Sequence, residues 1–96
     1  MEKKALPEIY NMSTTSKFIL FREDTILVDR SSDWGNPFVM HTESNRDYVC
    51  DMFIKYANWR LSIDPLWLKP LKDKNLVCHC VPKRCHAETL RRLAND

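Results

Sequence analysis

A single glycine, Gly35, serves the whole chain of 96 residues. Phosphate cradles built from several glycines, whose flexible backbone lets successive amides converge on an anion, are therefore excluded. No apolar run approaches the roughly 18 residues of a membrane span, and the opening stretch Met1-Glu2-Lys3-Lys4-Ala5-Leu6-Pro7 lacks the apolar centre of a secretory signal. The expectation is no membrane association and a reducing cytoplasm, where four cysteines serve as free thiols or metal ligands rather than as disulfides. Internal repeats and low-complexity segments are missing too. Net charge is small: the value is +2 and the pI about 8.4, and with no known nucleic-acid motif present, nucleic acid is set aside as a partner.

What is present suits one folded unit. With 44% apolar residues, a chain this size can bury one modest core without a staple. Residues 1–7 read as a flexible arm and 8–96 as a single domain. Glu8 to Met12 suggests a short first strand, broken by Ser13-Thr14-Thr15-Ser16. Phe18 to Arg22 and Thr25 to Val28 are both apolar and β-prone. Ser44 or Asn45 can cap a long helix reaching about Asp64, with Val49, Met52, Phe53, Tyr56, Trp59 and Ile63 as its core stripe and Cys50 as an inert small hydrophobe. Pro65 to Leu71 predicts a connector of one or two helical turns between prolines. Leu76 to Cys78 reads as a buried strand, and Cys85 to Asn95 as a terminal helix with Ala87, Leu90, Leu93 and Ala94 inward. The expected fold class is α/β: a small sheet of about three or four strands flanked by helices, with a Rossmann-like strand-loop-helix unit at the C-terminus.

Two stretches carry chemistry. In Ser31-Ser32-Asp33-Trp34-Gly35-Asn36-Pro37-Phe38, the only glycine is expected where positive φ or close backbone approach is needed, and Pro37 pushes Asn36 to an extended conformation. The loop presents Trp34 and Asn36 to a ligand, or else Trp34 and Phe38 plug the core while Asn36 caps a turn. The second stretch, residues 75–90, collects Cys78, Cys80 and Cys85 with His79 and His86. It lies in the basic part of the chain: residues 69–92 balance to +5, whereas residues 1–64 balance to −2.

Three readings of the cysteine stretch stand side by side. The start of the last helix, with Lys83 and Arg84 beside it, suits a phosphate or carboxylate. The same field would activate Cys80 or Cys85 as a nucleophile, with His86 carrying the proton. Alternatively, Cys78 and Cys80 share a strand face and could close a zinc site with Cys85 and His86, although the one-residue spacing is unusual for zinc. The third reading is structural, with Cys78 in the core, Cys85 as a helix cap and His86 as a satisfied imidazole. A cysteine and an arginine with five residues between them, Cys78 and Arg84, match a thiolate phosphate-binding loop in spacing only, since that loop needs glycines and this one carries Pro82.

The run Trp34-Gly35-Asn36-Pro37-Phe38 after Arg30, a helix with Arg46, Tyr56 and Trp59, and the closing Cys78, Cys80, Pro82, Cys85, His86 and Leu90 together resemble a small bacterial and phage family known as domain of unknown function 4326. The resemblance spans about residues 25–95. It departs at Asp29, where a glycine is usual, and at Asp73, where another is. It implies a compact α/β domain, with no established activity to carry over, in the host cytoplasm if phage-encoded. It also brings the two loops to one edge of the sheet, where Arg30, Trp34, Gly35, Asn36 and Arg84 would hold a nucleotide-like or phosphorylated small molecule beside Cys80, Cys85 and His86. The competing expectation is an interaction protein that binds and inhibits a host protein, its cysteine cluster structural or zinc-binding.

Overall fold

In the computed structural model the described residues are 6–29, 31–81 and 83–96. Most of the expected arm, together with Arg30 and Pro82, lies outside them. Three short strands, β1 (Ile9–Asn11), β2 (Thr25–Leu27) and β3 (Asn75–Cys78), form a parallel sheet in the order β1-β3-β2. Ile9 and Ile26 both pair with Leu76 across the central strand. Because all three strands run the same way, the loops after Asn11, Leu27 and Cys78 leave from one edge, where open α/β sheets bind ligands.

Parallel strands require return connections, and these explain the first departure from the sequence reading. Phe18 to Arg22 is not a strand. Lys17–Leu20 is a single helical turn, α1, in the return from β1 to β2, and Phe18 and Phe21 are 91% and 82% exposed. Between β2 and β3 runs the long helix α2 (Arg46–Ile63), entered through a 3₁₀ turn at Glu43–Asn45. Neither Ser44 nor Asn45 caps it; the Thr42 hydroxyl instead donates to Asn45 Oδ1 at 2.9 Å. The core stripe is narrower than its spacing suggested. Val49, Cys50, Phe53 and Ala57 are buried, but Trp59 and Ile63, beyond the end of the sheet, are 57% and 62% exposed. A second 3₁₀ turn at Lys69–Leu71 ends the expected connector, which buries Trp67, Leu68 and Leu71.

The last helix, α3 (His86–Ala94), packs Ala87 and Leu90 onto the sheet and begins at Cys85, whose extended backbone forms its N-cap. Phe53 from α2, Leu76 from β3 and Leu90 from α3 are wholly buried and meet in one core. Burying each such side chain contributes about 1.5–3 kcal/mol. The glycine expectation is also corrected. Gly35 does not use positive φ; among the described residues the left-handed position is Asp73, at φ 62°, directly before β3. That is where the family resemblance places a glycine, and Asp73 is held there by its N–H donating to Asn95 Oδ1 at 2.9 Å. No helix among the described residues is long and apolar enough to cross a membrane.

Candidate functional site

At the carboxyl edge of β2 and β3 lies a cavity of about 290 Å³, at the lower limit of ligand-sized pockets. One wall is apolar, from Phe38, Met40, Val49 and Cys50. The cysteine stretch also lines it, through Cys78, Cys80, Cys85 and His86. The loop carrying them is anchored from β1, where the Asn11 amide donates to the Val81 carbonyl at 2.7 Å.

The thiols are not equivalent. All four cysteines are free. Cys78, at the end of the buried central strand, is 1% exposed, and Cys85 is 3% exposed beside it. The Cys85 thiol donates a hydrogen bond to the Cys78 sulfur; the backbone N–H groups of Cys80 and Val81 add to it, and His79 lies nearby. Together they outweigh burial and hold the Cys78 thiol down at about 6. The same bond and burial push Cys85 far up, so it is the proton donor of the pair. The sequence reading placed the depressed thiol at Cys80 or Cys85, beside the helix start. The structure places it at Cys78, because a turn of amides following a strand end serves an anion better than the dipole of a nine-residue helix whose N-cap cysteine is already donating.

Behind this pair stands His86. Its Nε2 lies 2.6 Å from the carbonyl oxygen of Val28, the residue following β2. A carbonyl only accepts, so Nε2 carries a proton and Nδ1 of the neutral ring is the acceptor. Nδ1 lies 3.4 Å from Cys85 Sγ. The ring also meets Phe53 edge-on, at 5.1 Å between centroids. Cys85 carries a single S–H proton, so it can donate to Cys78 or to His86 Nδ1 but not to both at once.

The zinc expectation named Cys78, Cys80, Cys85 and His86 as its ligands. Among the described residues no group of three His, Cys, Asp or Glu is placed to hold a metal ion. Cys78 and Cys85 bond to each other, and His86 turns Nε2 to Val28 rather than to the cysteines.

Other candidates are placed as follows. Asn36 lines the cavity, but its amide donates to the Val49 carbonyl at 3.1 Å and its Oδ1 accepts from the Phe38 N–H at 2.9 Å, so it pins the loop to α2. Trp34 and Gly35 are not on the cavity wall. Trp34 packs against the core and donates from Nε1 to the Trp67 carbonyl at 3.0 Å. Arg84 lines the cavity and is paired with Asp51 at 2.8 Å and Asp47 at 3.1 Å. Lys83 is paired with Glu43 at 3.1 Å. Of the C-terminal cations, Lys83 and Arg84 therefore meet carboxylates from residues 43–51, which offset their charge.

Sequence reasoning assigned no role to Arg46, Asp29 or His79. Arg46 grips Glu43 through two bonds of 2.9 and 2.8 Å, donates to the Arg84 carbonyl at 2.9 Å, and also hydrogen-bonds Cys80. Held between Arg46 and Lys83, the Glu43 carboxyl falls to about 2. A signal for Arg46 existed: a cation in the first turn of a helix opposes the helix dipole and needs other partners. His79 Nε2 faces Asp29 Oδ2 at 3.1 Å at the cavity rim, and the Ser31 hydroxyl and then His79 lower the Asp29 carboxyl.

No curated protein and no solved structure matches the chain. A family model does match, over residues 11–96, and the chain belongs to that family, described as Domain of unknown function (DUF4326).

Proposed function

We propose that this chain is a small-molecule-binding domain of a reducing cytoplasm that acts on a compact, weakly charged ligand of nucleobase or nucleoside type through the Cys78 thiolate. The observation that carries this reading is the juxtaposition of an apolar wall with a buried thiolate. Phe38, Met40 and Val49 line the same cavity of about 290 Å³ as Cys78, and Cys85 and His86 lie beside the sulfur to move a proton. A thiolate held at about 6 is roughly 90% ionised at pH 7, against a few per cent for an ordinary cysteine. The apolar wall suits a planar ring, while Asn36, Arg46 and the Asp29–His79 pair offer polar groups at the edge. Pairing of Arg84 and Lys83 with Asp47, Asp51 and Glu43 argues against a phosphate as the main anchor.

The test is an NMR titration with matched nucleobases, nucleosides and nucleoside monophosphates. Shifts concentrated at Phe38, Val49, Cys78 and Cys80, with no tenfold gain from the phosphate, support the reading. Shifts elsewhere, or a phosphate gain above tenfold, contradict it.

One observation favours a second reading, a host protein as partner. Phe18 and Phe21 project almost fully exposed from α1, an arrangement that a monomer gains nothing from. Replacing both by serine should leave folding and ligand titration unchanged, and should abolish capture of a protein partner if this reading holds.

A further inference from the structure

The proposed function uses Cys78 as a nucleophile and Cys85 with His86 as a proton path, yet a proton path does not require a second thiol. Cys85 is a second thiol, buried at the same cavity, already bonded to the first, with a proton acceptor of its own at 3.4 Å. Nothing in substrate binding calls for that set. A structural thiol would be served by any small apolar side chain, and a thiolate could be stabilised by amides alone.

We infer that Cys78 and Cys85 are a dithiol–disulfide couple that reduces small hydroperoxides entering the cavity. The inference rests on the placement of Cys78 in the proposed function and adds a co-reactant class and a resolving thiol to it. The chemistry balances in two steps. The Cys78 thiolate attacks the terminal oxygen of the hydroperoxide, the S–O bond forms as the O–O bond breaks, and the alkoxide leaves and takes a proton from water. Cys78 is then a sulfenic acid. Cys85 passes its proton to His86 Nδ1, which the Nε2–H bond to Val28 holds as an acceptor, and the Cys85 thiolate attacks the Cys78 sulfur. The S–S bond forms as the S–O bond breaks, and the departing hydroxide is protonated to water. One hydroperoxide becomes an alcohol and a water, and two cysteine sulfurs are oxidised by two electrons. A cellular dithiol, or two monothiols, returns the pair to the reduced state.

The geometry distinguishes Cys85 from Cys80 as the resolving partner. Cys85 contacts Cys78 directly and has His86 beside it, whereas Cys80 is directed to Arg46 on α2. Cys85 also sits at the N-cap, where its extended backbone stands outside the helical turns and can follow the shift that a disulfide requires.

The test treats the reduced protein with one equivalent of hydrogen peroxide, blocks remaining thiols, and maps the products by mass spectrometry. The expected result is a Cys78–Cys85 disulfide in the wild type and equally in Cys80→Ser. In Cys85→Ser the crosslink should be lost, and a Cys78 sulfenic acid should be captured by a sulfenic-selective dione. In His86→Asn crosslink formation should slow on the order of a hundredfold, the size of a general-base contribution. Circular dichroism confirms that each variant is folded. A Cys78–Cys80 disulfide in the wild type or in Cys85→Ser, loss of the Cys78–Cys85 disulfide in Cys80→Ser, or oxidation of wild-type Cys78 to sulfinic acid with no crosslink overturns the inference. Titration of Cys78 separates the two claims: a thiolate present with no crosslink removes only the redox couple, and no thiolate removes both.

Discussion

Replacing Cys85 by alanine removes the largest single contribution to the Cys78 thiolate, the hydrogen bond from the Cys85 thiol. A hydrogen bond to a charged acceptor is worth about 1.5–3 kcal/mol, and 1.36 kcal/mol corresponds to one pKa unit. Starting from about 6, the Cys78 thiol should therefore rise by roughly one to two units in Cys85→Ala. At pH 6 the ionised fraction falls from about one-half to between about one-tenth and one-hundredth, a loss of ~5- to 50-fold in thiolate. Ultraviolet thiolate absorbance, followed against pH in the folded protein, reads this directly. Cys85→Ser is the control: its hydroxyl restores a donor of similar size, so its midpoint should lie nearer the wild type. An unshifted midpoint in Cys85→Ala would show that the backbone amides of Cys80 and Val81 hold the charge unaided, and the account of the pair would be wrong.

Stability should follow the same protons. Unfolded Cys78 titrates near 9 and the folded thiol at about 6, so between these values the folded state binds fewer protons and stability rises with pH. The gain, about 2–4 kcal/mol, is lost as pH falls through 6 and is absent in Cys78→Ala; urea midpoints across that window check it. Cys85 acts in the opposite sense above about pH 9, where the unfolded thiol ionises and the folded one stays protonated, so stability should decline there. Asn36→Ala leaves the Val49 carbonyl and the Phe38 N–H without their side-chain partner and should cost about 1–3 kcal/mol, measured by urea denaturation. Arg46→Ala unties Glu43, the Arg84 carbonyl and Cys80 at once. Amide exchange at residues 80–85 should accelerate, while exchange in β1 and β2 stays unchanged.

The parts legible in the sequence were those set by local pattern. Apolar, branched runs marked Thr25 to Val28 and Leu76 to Cys78 as strands, and helical spacing marked Val49 and Phe53, though not the equally buried Ala57. Phe18 to Phe21 misled because β propensity records preference for a half-buried pleated surface, and the return from β1 to β2 offers none. The cysteine stretch showed where the site lies but not which thiol is activated. Strand alternation treats Cys78 and Cys80 alike, and only the turn of amides after Cys78 and the contact with Cys85 separate them. Charge counting was also incomplete: within the +5 of residues 69–92, Lys83 and Arg84 face Glu43, Asp47 and Asp51, carboxylates more than thirty positions away in the chain. Asn36 was read as either a ligand contact or a turn cap, because an amide in a loop can serve both purposes, and only the fold brings it to the Val49 carbonyl at 3.1 Å and the Phe38 N–H.

The central claim is that the cavity holds a reactive thiolate at Cys78. Its most direct measurement is the pH dependence of alkylation by a small uncharged electrophile, with each modified cysteine identified by mass spectrometry. The account predicts that Cys78 is labelled first, with a rate that rises through a midpoint at about pH 6 and reaches its plateau below pH 8. Labelling confined to Cys80, or a Cys78 rate that climbs only near pH 9, contradicts it.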